Sequence, residues 1–82
     1  MLQVKFYTKE NCSLCDDAYA LLKMFQLSYP FEFEEIDIYS DDALLEEYQL
    51  LIPAVRMNDT FLTCEEMGLE QLEAAIKKNI MK

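Results

Sequence analysis

Residues 2–25, LQVKFYTKENCSLCDDAYALLKMF, decide the fold. Leu2 to Tyr7 alternates apolar and polar residues, with Val4 and Phe6 among the apolar positions, which is the period of a β-strand. The polar cluster Thr8-Lys9-Glu10-Asn11 breaks the alternation and predicts a loop. From Ser13 the period changes. Leu14, Ala18, Leu21, Leu22 and Phe25 recur at spacings of three and four, on one face of a helix that begins close to Cys12, with Asn11 or Ser13 as its cap. Strand, loop and helix therefore meet at Cys12-Ser13-Leu14-Cys15.

That junction suits thiol chemistry. A thiol at a helix N-terminus lies beside unsatisfied backbone N–H groups and the positive end of the dipole, which stabilise its thiolate. A second thiol three residues on lies one turn away on the same side and can resolve a mixed disulfide. Cys12 reads as the exposed nucleophile and Cys15 as the more buried resolving thiol. Asp16 and Asp17 serve as first-turn carboxylates of the helix. Two alternatives stay open: that the pair are small buried apolar residues, or that they bind a metal. A four-coordinate site lacks histidine here, and only Cys64 remains as a third sulfur. Cys64 reads as a packing residue at a strand end, or as a third redox thiol facing Cys12.

Outward from the junction, Ser28-Tyr29-Pro30 closes the first helix and Phe31 to Ile38 forms a second strand. The apolar phase of that strand shifts between Phe33 and Ile36, as at a bulge, and its charges suit a sheet edge. The acidic pairs Glu34-Glu35 and Glu65-Glu66 read as solvated faces. Ser40, followed by Asp41-Asp42, predicts a capped short helix through about Tyr48. Leu50 to Val55 leads into a strand, Asn58-Asp59 makes a hairpin turn, and Thr60 to Thr63 returns antiparallel. Arg56 is expected in water at a strand end, and Tyr7, Tyr19, Met24, Phe25 and Met57 in the core. Leu69, Leu72, Ile76 and Ile80 form the stripe of a last helix, with Lys77, Lys78 and Lys82 near its negative end. The order is β-α-β-α-β-β-α, and its first unit requires parallel strands with a right-handed crossover.

The 82 residues, 52% hydrophobic with one Gly and two Pro, make a single domain, 1–82, with a thin core and no cleft between domains. Seven Lys and Arg against sixteen Asp and Glu give a net charge of −9, which excludes nucleic acid and anionic membrane surfaces as partners. No apolar run approaches the roughly 20 residues that span a bilayer. The start shows no secretory pattern, and three cysteines are too few for a disulfide-stapled secreted mini-protein, so the reading is cytoplasmic.

Phe6-Tyr7-Thr8-Lys9, the C-x-x-C at Cys12 and Cys15, Glu34-Glu35-Ile36-Asp37-Ile38 and Ile52-Pro53 together resemble the glutaredoxin branch of the thioredoxin superfamily. The resemblance covers roughly residues 2–80. It implies an α/β thioredoxin-like fold, a four-stranded mixed sheet flanked by three helices. It also implies that Pro53 is cis and faces the dithiol, that the Ile52 backbone pairs with the incoming substrate, and that Lys9 matches the family's lysine near glutathione. In the fold that the resemblance implies, the carboxylates of Glu10, Asp16, Asp17, Glu65 and Glu66 lie near Cys12 and oppose the dipole, so the Cys12 pKa is expected only modestly below its reference. Ser13-Leu14 matches neither the Gly-Pro of thioredoxins nor the Pro-Tyr of glutaredoxins. Thr63-Cys64-Glu65-Glu66-Met67-Gly68 stands where glutathione-dependent members carry Gly-Gly and an acid. The expected function is a monomeric dithiol oxidoreductase, with no bound cofactor, that reduces disulfides in protein or small-molecule substrates. Glutathione or a thioredoxin-reductase-type flavoenzyme would restore the dithiol. The alternative is a non-catalytic thioredoxin-fold module that docks a basic protein.

Overall fold

The alternating residues of Leu2–Thr8 place strand β1 at the centre of the sheet, because their apolar side chains are buried on both of its faces. The computed structural model describes residues 1–81. After β1 come α1 (Ser13–Phe25), β2 (Phe31–Asp37), a 3-10 turn at Ile38–Ser40, and α2 (Asp42–Tyr48). Strands β3 (Ala54–Met57) and β4 (Thr60–Leu62), a second 3-10 turn at Cys64–Glu66, and α3 (Leu69–Ile80) complete the chain. The sheet order is β2-β1-β3-β4, with β1 parallel to β2 and the other pairs antiparallel. This is the α/β thioredoxin-like fold that the family resemblance implied. Among the described residues no helix is long and apolar enough to cross a membrane.

Two cores cover the two faces. Val4, Phe6, Phe31, Val55 and Met57 pack under α1 and α3, which contribute Ala18, Leu22, Phe25, Leu72 and Ile76. On the opposite face Tyr7, Ile38, Tyr48 and Ala54 pack together beneath α2, with the rings of Tyr7 and Tyr48 stacked 4.2 Å apart. Buried Asn79 donates to the Thr60 hydroxyl at 3.0 Å and the Ala75 carbonyl at 2.8 Å, and accepts from the Asn58 amide at 3.1 Å. Every polar group of that side chain is engaged, so its burial fastens α3 to the β3–β4 hairpin.

Several expectations are corrected. Strand β2 has no bulge: seven consecutive residues pair with β1 in unbroken register. The shift of phase is a change of the buried face, with Phe31 and Phe33 toward α1 and Ile36 toward α2. The strand ends at Asp37, because Ile38 starts the 3-10 turn that the Asp37 carboxylate caps by accepting from the Tyr39 amide at 2.9 Å. The cap of α2 is Asp41, not Ser40, whose hydroxyl instead donates to the Asp37 carbonyl. Thr63 leaves the sheet to cap the second 3-10 turn, and the Glu66 carboxylate accepts from its amide at 3.1 Å.

Helical phase accounts for most of the other differences. The inner face of α1 is Cys15, Ala18, Leu22 and Phe25, which turns Leu14 outward, 63% exposed, and leaves Tyr19 and Met24 at the surface. In α3 the buried stripe is Leu72, Ala75, Ile76 and Asn79, so Leu69 lies in the first turn, outside it. Lys77 and Lys78 occupy the last turn as expected, whereas Lys82 lies outside the described residues. Arg56 is not in water at a strand end. It sits within β3, half-buried, its guanidinium 4.5 Å from the centre of the Phe61 ring and near the Tyr48 and Tyr7 hydroxyls.

Candidate functional site

The end of β1 organises the site. Thr8 is opposite Asp37 of β2, and Tyr7 is opposite Ala54 of β3, so the chain leaving β1 toward Cys12 has Pro53 on one flank and Asp37 on the other. Asn11 turns the chain with a φ of 57°, a left-handed conformation that asparagine tolerates, and Cys12 then enters the helix. The helix cap is Cys12 itself, neither Asn11 nor Ser13. Its backbone is extended, and its sulfur accepts from the Cys15 amide at 3.1 Å. A sulfur in that position receives the hydrogen bond and the dipole field that a thiolate needs.

Cys12 and Cys15 are joined in a disulfide, with their Cα atoms 5.2 Å apart. They differ in surroundings. Cys12 is half-buried, whereas Cys15 is 2% exposed and belongs to the core under α1. Burial in apolar surroundings disfavours a thiolate, and the helix terminus favours one, so the two sulfurs have unequal electrostatics. Leu14, between them, projects into solvent. Among the described residues no group of three or more metal-ligating side chains could hold an ion.

The Ile52–Pro53 peptide bond is cis. Pro53 is fully buried, while Ile52 is half-buried and touches both cores. The loop that carries them is held to the second 3-10 turn by the Cys64 amide, which donates to the Leu51 carbonyl at 2.9 Å. Cys64 is a free, half-buried thiol in that turn, past the end of β4 rather than at it, with its sulfur 3.9 Å from the Leu50 carbonyl.

Lys9 lines a groove on the α1 side, whose lining does not include Ile52 or Pro53. This groove, of about 460 Å³, is lined by Phe6, Thr8, Lys9, Glu10, Cys15, Asp16, Tyr19, Glu35 and Asp37. A second hollow of about 420 Å³ shares Lys9, Glu10 and Asp37 with it and adds Asn11 and Tyr39. The sequence reads Glu35 and Asp37 as solvated edge-strand charges and does not connect them with the dithiol. The available signal is phase: Phe31, Phe33, Glu35 and Asp37 are alternate residues, so both carboxylates share the α1 side with the two aromatic rings.

A dithiol at a strand-to-helix junction, on a mixed sheet with helices on both faces, defines a glutaredoxin-like protein of the thioredoxin superfamily. The model of the glutaredoxin-like domain (DUF836) matches residues 3–77, and the chain belongs to that family. It is similar to the solution structure of protein Ne2328 from Nitrosomonas europaea, at 25% identity and a TM-score of 0.75, over 92% of this chain and 91% of that one. Protein XcR50 from X. campestris is 26% identical, with a TM-score of 0.56, over 87% of this chain and 96% of that one. A malarial protein, 16% identical with a TM-score of 0.63, covers 96% of this chain and 97% of its own, and shares the fold.

Proposed function

We propose that this protein is a thiol-disulfide oxidoreductase that reduces disulfides through Cys12 and Cys15. One observation carries the reading: a half-buried sulfur caps α1 and is already bonded to a buried partner one turn away. In the reduced protein the Cys12 thiolate attacks one sulfur of the substrate disulfide. The substrate S–S bond breaks, a Cys12–substrate bond forms, and the first substrate thiolate leaves and takes up a proton. Cys15 loses its proton and attacks the Cys12 sulfur, which expels the second substrate thiolate. Two electrons have passed from the protein dithiol to the substrate, leaving the Cys12–Cys15 disulfide.

Ile52, Pro53 and Lys9 are the proposed substrate contacts. The register of β1 and β3 brings Pro53 beside the chain that leads to Cys12, and the Ile52 main chain has no hydrogen-bond partner among the described residues. Such a backbone can pair with an extended substrate and hold its sulfur in line for attack. The protein carries no resident cofactor in this reading. Two external thiols, from two glutathione molecules or the dithiol of a thioredoxin-reductase-type flavoenzyme, restore the dithiol and are themselves oxidised to a disulfide, and the chain works as a cytoplasmic monomer.

The test compares single-cysteine variants with the unmodified protein. Cys12→Ser loses reduction of a peptide disulfide entirely, whereas Cys15→Ser accumulates a mixed disulfide with the peptide, read by mass. Unchanged turnover in Cys12→Ser would falsify the assignment.

A further inference from the structure

The groove beside the dithiol has a composition that the reduction chemistry alone does not require. One wall is Cys15, Asp16 and Tyr19 of α1, and the other is Glu35 and Asp37 of the edge strand β2. Its lining holds four acidic residues, Glu10, Asp16, Glu35 and Asp37, against one lysine, Lys9. The adjoining hollow continues past the shared Lys9, Glu10 and Asp37 to Tyr39, a residue 61% exposed. Edge strands commonly carry outward charge, but Glu35 and Asp37 point to the side where Phe31 and Phe33 enter the core. The groove is therefore concave and negatively charged, with Phe6 and Tyr19 in its lining, and it reaches Cys15, the buried partner of Cys12.

We infer that this groove holds a cationic segment of the substrate polypeptide, so that the preferred substrates are disulfides flanked by Arg or Lys. The inference rests on the redox reading above, which requires a substrate sulfur within bonding distance of Cys12. Cys15, bonded to Cys12, lines the groove, as do Lys9 and Glu10 just before Cys12 in the chain, so a substrate chain attached at Cys12 has the groove within reach. Carboxylates bind guanidinium and ammonium groups by charge-assisted hydrogen bonds. Complementary charge also raises the rate of encounter. Glutathione carries net negative charge and is disfavoured in the same groove, with Lys9 alone against four carboxylates. A basic peptide disulfide is thus a better oxidant of this dithiol than glutathione disulfide.

The experiment uses the full chain, reduced beforehand and freed of reductant, and three disulfide-linked peptides that differ only in Arg/Lys, neutral or Glu flanks. Second-order rate constants for stoichiometric reduction are measured from low salt to 1 M NaCl. The basic peptide is expected to react on the order of tenfold faster than the neutral one at low salt, with the acidic peptide slowest. The ratio should fall toward one at 1 M, where the screening length is only about 3 Å. Glu35→Gln combined with Asp37→Asn lowers the ratio, and the second of these changes keeps a side-chain oxygen to cap the 3-10 turn. Glu46→Gln with Glu47→Gln removes the same charge from exposed positions on α2 and leaves the ratio in place. Equal rates for the basic and neutral peptides overturn the inference while the redox reading stands. So does a preference that survives the groove variant or is lost equally in the α2 variant. Failure to reduce any peptide overturns the redox reading and the inference with it.

Discussion

The two halves of β2 present alternate side chains to the same side of the sheet and do opposite things there. Phe31 and Phe33 pack under α1 with Phe6, and Glu35 and Asp37 line an open groove that ends at Cys15. One strand serves as core at its start and as a site wall at its end, with no bulge between. In a sheet the direction of a side chain is set by its parity, while its chemistry is free at each position. A change in residue type along a constant phase therefore shows where the strand leaves the core and borders the groove.

The contrast predicts a ranked set of stability effects. Phe31→Ala removes a buried ring and should cost about 3 kcal/mol or more in denaturant unfolding, with little effect on the preference for basic peptides. A loss below about 1 kcal/mol would mean that the first half of β2 is not core. Asp37→Ala removes the cap on the Tyr39 amide and should cost about 1 kcal/mol, whereas Asp37→Asn keeps the acceptor and should cost a few tenths. Glu35→Gln, at an exposed position with no cap to lose, should change stability by no more than about 0.5 kcal/mol. Equal costs for Asp37→Asn and Asp37→Ala would remove the capping role from the account.

The opposite face of the sheet supplies a pH test. Burial pushes the Tyr7 phenol above its ordinary value, and the Tyr48 hydroxyl beside it adds to the rise while Arg56 opposes it. The folded state thus favours the protonated phenol. That stabilisation is fully present below the unfolded value of about 10 and is lost as pH rises through the higher folded value. The denaturant midpoint should fall above about pH 10, and Tyr7→Phe should flatten that fall. Tyr29 pulls in the same direction, because its phenol donates to the Glu73 carboxylate at 2.7 Å, so Tyr7→Phe reduces the fall without abolishing it. An identical alkaline fall in both proteins would show that Tyr7 ionises as it does in the unfolded chain.

The order of elements and the place of the dithiol are legible in the sequence, because β1, α1, the hairpin and α3 each carry their own period and punctuation. What is not legible depends on contacts between distant segments. The shift of phase at Glu35 and Ile36 looks like a bulge because burial on both faces of one strand cannot be told from a kink without its neighbours. Leu14 and Leu69 fit a helical stripe in sequence, but each lies in a first turn, where the direction is set by how the helix docks. Arg56 reads as solvated because Phe61, Tyr7 and Tyr48, which gather around it, lie on three other elements. Cys12 as its own helix cap has no sequence signal, since sulfur is not among the common capping groups. The groove requires β2 and α1 together, and neither segment alone announces it.

The most direct test of the account is the redox equilibrium of the Cys12–Cys15 pair. In a Cys64→Ser variant equilibrated across glutathione and dithiothreitol buffers, the extent of disulfide is read by the mass shift on thiol alkylation. The account predicts one two-electron transition, between about −270 and −200 mV, where thioredoxins and glutaredoxins work as reductants. Two thiols that stay alkylatable across the whole range, with no intramolecular disulfide, would contradict it.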